Sequence, residues 1–273
     1  MSAVACLGDC CLDVYVEPVA RVLVGGSCLN VAVGLARHGV EAVYAGPIGD
    51  DDGGERVLAL LAEHGLADDR VRRVPGARTA VTQILLEEAG ERRFLHEDYA
   101  IQERFAPTAA EWQWIASTRA VHSSRMPAHL ARLRAIGAAG VRVSYDFTTD
   151  SVPAQLSGLE VVFVPDEALA GQAPADAARM LVARGATCAV VTRGERGAVA
   201  ATASAVETVG AVPVARVVDT CGAGDAFVAA FLARRLAGES LRACLESGAI
   251  DGAAACLHLG AIEQPGRPLE ARA

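Results

Sequence analysis

Lysine is missing from this chain: all 25 basic residues among its 273 are arginine. That excludes a Schiff-base lysine and a Walker A loop, whose lysine holds the β/γ-phosphates. The absence itself reads as genomic composition bias. Aromatic residues are scarce, at 4%, so the core has to be built from Ala, Val and Leu. Asparagine occurs once, as Asn30. No basic stretch exceeds two residues and the net charge is −8, which argues against a nucleic-acid binder, whose affinity would rest on neutralising phosphates. No apolar run approaches the ~20 residues that span a bilayer. The opening residues Met1 to Leu7 lack the basic n-region of a signal peptide and read directly as a strand. The eight cysteines (6, 10, 11, 28, 188, 221, 244 and 256) make no Cys-x-x-Cys pair and no zinc spacing with histidine. The expectation is a cytoplasmic protein with reduced thiols, no membrane contact and no nucleic-acid partner.

What is present is globular: 52% apolar and 21% charged residues. The length suits one large domain or two modest ones. No repeat, low-complexity tract or linker divides it, so 1–273 is taken as a single domain. Strands are expected at Val4 to Gly8, Ala42 to Ala45, Ala120 to Ser123, Val141 to Asp146, Val161 to Val164 and Cys188 to Thr192. Helices are expected at Leu29 to His38, Gly54 to His64, Ala128 to Ala139, Ala175 to Arg184, Ala223 to Ala237 and Ser240 to Leu257. That alternation predicts a mostly parallel sheet with helices on both faces. One segment breaks it. Thr79 to Leu86, a turn from Glu87 to Glu91, and Arg92 to Leu95 read as a hairpin serving as an edge, a lid or a dimer contact. Further lid strands are expected between Val14 and Gly26.

Three segments carry chemistry. In Asp219-Thr220-Cys221-Gly222-Ala223-Gly224-Asp225 a strand (Val214 to Val218) feeds a glycine turn that opens a helix. The amides of Gly222, Ala223 and Gly224, with the helix dipole behind them, form a hole for an anion such as phosphate. Asp225 in that turn is placed to take a proton from an attacking hydroxyl; an acid there also simply suits the dipole. In the second, Gly25-Gly26-Ser27-Cys28-Leu29-Asn30, followed by Gly46 to Asp52, Ser27 is the expected helix cap, leaving Asn30 for a sugar hydroxyl. In the third, Gly8-Asp9-Cys10-Cys11-Leu12-Asp13, two acids follow the first strand, where open α/β sheets bind ligands. His38 and His64 are expected to end helices, and Cys10-Cys11 to pack.

Together these segments resemble the PfkB family of carbohydrate kinases over nearly the whole chain, both family signatures standing in order. The resemblance implies a ribokinase-like three-layer α/β/α fold with a small β lid, its strands within 10–25 and 78–100. It implies ATP-dependent phosphorylation of a sugar hydroxyl with Mg²⁺, and leaves room for a monovalent cation. By the same match Asp225 is the base and Gly222, Ala223 and Gly224 the anion hole. Asp9, Asp13, Gly25, Gly26, Asn30 and Asp98 are matched to the sugar. Thr192, Gly194, Glu195, Gly197 and Thr220 are matched to the nucleotide. The family's Asn-x-x-Glu element is replaced by Pro165-Asp166-Glu167, so Asp166 or Glu167 would reach a metal through water. Within the family the chain is most similar to fructoselysine 6-kinases, through Gly8 to Tyr15, Asp98-Tyr99, Val121-His122 and Asp146-Phe147. The expected partners are ATP, a fructosyl amino acid, and a second copy through the lid. In that match Glu97 and Asp98 meet the substrate's amine and Arg92 or Arg93 its carboxylate. Another ketose, a sugar acid or a nucleoside, and a catalytically silent sugar-binding regulator, stay open as alternatives.

Overall fold

The computed structural model describes residues 3–87, 90–169 and 171–269. Met1, Ser2, Glu88 and Ala89 (within the expected turn), Ala170 and 270–273 lie outside the described residues. The first half runs β1 (Val4–Leu7), β2 (Cys11–Tyr15), β3 (Arg21–Gly25), α1 (Ser27–Arg37), β4 (Ala42–Ala45), β5 (Pro47–Gly49), α2 (Asp52–Glu63) and β6 (Arg72–Val74). It continues through β7 (Val81–Leu86), β8 (Arg92–Asp98), α3 (Ala100–Glu103), α4 (Ala109–Ile115), β9 (Ala120–Ser124), α5 (Leu130–Ala138), β10 (Arg142–Asp146) and β11 (Val161–Pro165). The remainder is α6 (Pro174–Ala183), β12 (Cys188–Thr192), β13 (Ala198–Thr202), β14 (Val206–Val209), α7 (Ala223–Leu236), α8 (Leu241–Ala255) and β15 (Arg267–Pro268).

The main sheet has the order β14-β13-β12-β11-β10-β9-β1-β4. Pairing is parallel from β4 to β12 and antiparallel through β13 and β14. Its strands read as unbroken apolar runs because both faces are covered. Alternate residues go to opposite sides: Val4 and Cys6 join α1, α2, α7 and α8, whereas Ala5 and Leu7 join α4, α5 and α6. All the parallel strands present their carboxyl ends on one edge, the edge where such sheets hold ligands.

A second sheet, β15-β3-β2-β7-β8, is fed from that edge, since only Gly8, Asp9 and Cys10 separate β1 from β2. Its β7–β8 ladder is antiparallel, with an irregularity between Gln83 and Ile84. The hairpin thus spans the expected segment, with β8 running three residues beyond Leu95.

Besides the short elements β5, β6, α3 and β15, three features depart from the expectation. Residues 214–218 form no strand and pair with no ladder; Val218 N–H donates to the Cys256 carbonyl (2.8 Å). The edge hairpin β13–β14 was not expected, because β13 is mostly alanine and valine and alanine is a poor strand signal. Helix α4 was not expected either, although Thr108 and Glu111 form a complete capping box at its start. His38 and His64 do end α1 and α2. Among the described residues no helix is long and apolar enough to cross a membrane.

Candidate active site

Helices α1 and α7 meet along matching faces. Ser27, Asn30 and Gly34 share one face of α1 by their i, i+3, i+7 spacing, and Asp225 and Ala229 share one face of α7. Gly34 permits the contact: a Cβ there would lie 2.5 Å from the Ala229 Cβ. The close crossing brings the first turns of both helices together. Ser27 Oγ donates to one oxygen of Asp225 at 2.8 Å, and Asn30 Nδ2 donates to the other at 2.7 Å. Ser27 was the expected cap of α1; instead it makes no cap bond and serves Asp225. The cap is supplied from across the cleft by Asp9, whose carboxylate accepts from the amides of Ser27 (3.0 Å) and Cys28 (3.1 Å). Asp9, matched to the sugar, is therefore spent on a helix terminus. Asn30 keeps a buried carbonyl oxygen with no partner, an acceptor that a ligand hydroxyl satisfies.

Burial pushes the Asp225 carboxyl up to about 7, against the opposing hydrogen bonds from Asn30 and Ser27. The nearby charges of Asp146 and Asp9 push the same way. Asp146, at the end of β10, is itself raised by burial to about 6, while Thr148 bonds to it. A carboxyl near neutrality is suited to accept a proton at cellular pH.

The turn before Asp225 divides its glycines between two tasks. Gly222 is left-handed (φ 75°), and a Cβ there would strike Ala261 at 2.3 Å, so it is a packing glycine. Gly224 needs no unusual φ, and its missing Cβ faces open space. Of the three amides expected to converge, Ala223 N–H already donates to the Thr220 carbonyl at 3.3 Å. Those of Gly222 and Gly224 have no partner among the described residues. They stand at the positive end of a 14-residue helix. Asp219 anchors the turn. Fully buried, it accepts from Tyr15 Oη (2.5 Å), Cys221 N–H (2.9 Å) and Gly260 N–H (2.9 Å).

Asp13 projects from β2 and is 4% exposed. Burial raises it to about 7; Cys11 Sγ lies 3.3 Å from one oxygen and Cys221 Sγ 3.9 Å from the other. Gly25 and Gly26, matched to the sugar, are its backing. A Cβ on Gly25 would sit 2.1 Å from an Asp13 oxygen, and one on Gly26 (φ 110°) would meet Cys10 Cα at 2.3 Å. Burial pushes the Cys10 thiol up to about 12 and Cys11 well above its usual range, which fits packing. All eight cysteines are free.

The hairpin is fastened to the same turn. Thr220 N–H donates to the Gly90 carbonyl (3.1 Å), and Arg92 donates to the Thr220 carbonyl (2.5 Å) and hydroxyl (3.3 Å). Thr220, matched to the nucleotide, is thereby occupied, and so is Arg92, one of the two arginines matched to a substrate carboxylate. The other, Arg93, is exposed and paired with Glu87 at 2.8 Å. Asp98 is exposed at the end of β8, opposite Val81.

Four strands along the sheet from β1, β12 ends in the turn holding Thr192, Gly194, Glu195 and Gly197. Arg193 N–H closes it on the Gly197 carbonyl (2.9 Å), and Gly194 and Glu195 are exposed. No hydrogen bond among the described residues joins this turn to Asp225. Asp166, at the end of β11, accepts from Arg196 at 2.7 Å with Arg193 3.9 Å away, so a metal would have to compete with two arginines for it. Glu167 is exposed. Among the described residues no group of three or more His, Cys, Asp or Glu side chains is placed to hold a metal.

Ser27, Asp219 and Asp146 bond to or charge the Asp225 turn, and the local reading gave none of them that part. Only Ser27 carried a usable signal, its helical spacing to Asn30. Arg125 follows β9 with φ 52°, its guanidinium 4.0 Å from the Tyr99 ring centroid and 3.4 Å from Glu97.

Comparison with known proteins agrees with this geometry. Residues 1–267 match the pfkB family carbohydrate kinase description. Fructoselysine 6-kinase of Shigella flexneri is 31% identical over 255 residues, covering 91% of this chain and 95% of that protein. A fructokinase of Klebsiella pneumoniae is 32% identical over 254 residues, covering 83% of this chain and 82% of that one. The solved Arabidopsis thaliana ribokinase superposes with a TM-score of 0.80 at 21% identity, over 95% of this chain and 94% of that one, which fixes the fold as ribokinase-like α/β. With both signatures matched and its length covered almost end to end, the chain belongs to the pfkB family of carbohydrate kinases.

Proposed function

We propose that this ATP-dependent sugar kinase phosphorylates the 6-hydroxyl of fructoselysine or a related fructosyl amino acid. The observation that carries the reading is the Asp225 carboxylate, pinned by Ser27 and Asn30 beside the unpartnered amides of Gly222 and Gly224. The 31% identity to a fructoselysine 6-kinase supports the substrate.

In this reading Asp225 accepts the proton of the attacking sugar hydroxyl. The Gly222 and Gly224 amides and the α7 dipole take up the charge of the transferring phosphoryl group, which is held by positioning and electrostatics more than by covalent chemistry. Asn30, through its unpartnered oxygen, and Asp13 accept from ring hydroxyls. The Thr192 to Gly197 turn contacts the nucleotide, and Thr220 acts by anchoring the hairpin to the phosphate turn. Magnesium comes with ATP, held by phosphate oxygens, waters and one or two carboxylates. Exposed Glu167 is the side chain that would serve it, Asp166 being committed to Arg196. The second sheet acts as the lid of a single kinase domain. Its edge strand β8, with Phe94 and Leu95 exposed, pairs with a second copy. The setting is cytoplasmic, in keeping with eight free thiols.

The test is an ADP-release screen over ketoses, nucleosides, sugar acids and fructosyl amino acids, with K⁺ present and absent. The expected outcome is the highest kcat/KM on fructoselysine. A nucleoside or sugar acid leading the series refutes the substrate, and no ADP release with any acceptor refutes the assigned role of Asp225.

A further inference from the structure

Of the hairpin arginines first matched to a substrate carboxylate, Arg92 is held by Thr220, and Arg93 is a more exposed side chain paired with Glu87 near the turn. Arg125 also reaches the hairpin, through Tyr99 and Glu97. Arg125 leaves the carboxyl end of β9 in a left-handed conformation (φ 52°) that non-glycine residues seldom adopt. Such outliers persist where surrounding structure over-determines them, and they cluster at ligand sites. Here the surroundings are the Tyr99 ring, 4.0 Å below the guanidinium, and Glu97 at 3.4 Å. Tyr99 continues inward. Its hydroxyl lies 2.8 Å from Thr82 Oγ1 and 3.7 Å from Cys11 Sγ, and Cys11 Sγ lies 3.3 Å from Asp13. An unbroken line of contacts thus runs from Arg125 to the carboxylate assigned to the sugar ring.

We propose that Glu97 and Arg125 form the subsite for the amino-acid end of the substrate, Arg125 taking its carboxylate and Glu97 its α-ammonium. The inference rests on the fructosyl amino acid reading above and names the residues that enforce it. The pair suits the task because it is weak as it stands. At 3.4 Å, with Glu97 38% and Arg125 26% exposed, it is a solvated ion pair that opens at little cost. An amino-acid end carries both charges on one carbon, so its entry exchanges one ion pair for two and strands no charge. The planar guanidinium, over the Tyr99 ring, can offer two parallel N–H donors to a carboxylate.

Three acceptors test it by kcat/KM: fructoselysine, fructosyl-cadaverine, which lacks the carboxylate, and Nα-acetyl-fructoselysine, which lacks the ammonium. The wild type should favour fructoselysine over fructosyl-cadaverine by about 10–100-fold, the scale of a charge-assisted bidentate contact. Arg125→Ala should cut that ratio to about threefold or less, and Glu97→Gln should do the same to the ratio against the acetylated sugar. A wild-type ratio near one for both analogues, or a ratio unchanged by Arg125→Ala, overturns the subsite. If Arg125→Ala does not fold, Glu97→Gln decides: an unchanged ratio overturns the proposal. A wild type that phosphorylates fructose or a nucleoside but none of the three acceptors refutes the fructosyl amino acid reading itself, and the subsite falls with it.

Discussion

Replacing Asp225 with asparagine should separate the chemistry from the fold. The substitution keeps the shape, and an amide can still accept from Asn30 and bond to Ser27 at the positions now 2.7 and 2.8 Å away. It removes the base. General-base catalysis is typically worth ~10²–10⁴-fold, so turnover should fall at least into that range with ATP binding largely kept. Stability should move the other way. A carboxyl held at about 7 rather than 3.8 is destabilised when ionised by at most about 4 kcal/mol, at about 1.4 kcal/mol per pH unit. Solvent reaching the partly exposed group brings this to on the order of 1–2 kcal/mol. Because the folded value is raised, the stabilising proton is fully present below the unfolded value near 4 and is lost as pH climbs through about 7. The wild type therefore weakens over that window and the variant does not. The melting temperature of Asp225→Asn should exceed that of the wild type by a few degrees at pH 8 and by little at pH 4. Wild-type turnover itself should rise as pH passes through about 7. Steady-state ADP release and thermal melts across pH read all of this. Turnover within about threefold of the wild type refutes the base, and a variant less stable at pH 8 refutes the buried-carboxyl argument.

Gly224→Val should lower turnover by about a hundredfold or more, since its side chain enters the open space beside the unpartnered amides. Its melting temperature should stay put, while Gly222→Val, which strikes Ala261, should melt earlier; normal turnover in the Gly224 variant removes the anion hole. Light scattering checks the pairing along β8: a strict monomer at working concentration refutes the dimer.

The legible parts of the site are those whose logic is local. The Gly222 to Asp225 turn announces itself because a glycine turn, a helix start and an acid stand within four residues, and the structure leaves amides free there. Asn30 was readable for the same reason, as a lone amide in the first turn of a helix. What escaped is what depends on a partner far along the chain. Ser27 looks like a cap until Asp9, 18 residues earlier, takes that duty. Gly25 looks like a ligand glycine until the Asp13 carboxylate is found filling the space its Cβ would need. Residues 214–218 have strand composition yet form no ladder; the backbone bond they make goes from Val218 N–H to the Cys256 carbonyl after α8. Arg92 and Arg125 reverse roles by the same principle. By position on the hairpin Arg92 looks free for a ligand, yet the turn 128 residues away claims it. Arg125 looks like an ordinary arginine after a strand, and only its backbone conformation and its contact with Tyr99 set it apart. Charge and spacing thus point to a turn suited to phosphate, whereas long-range contacts decide which charged side chains remain available to a substrate.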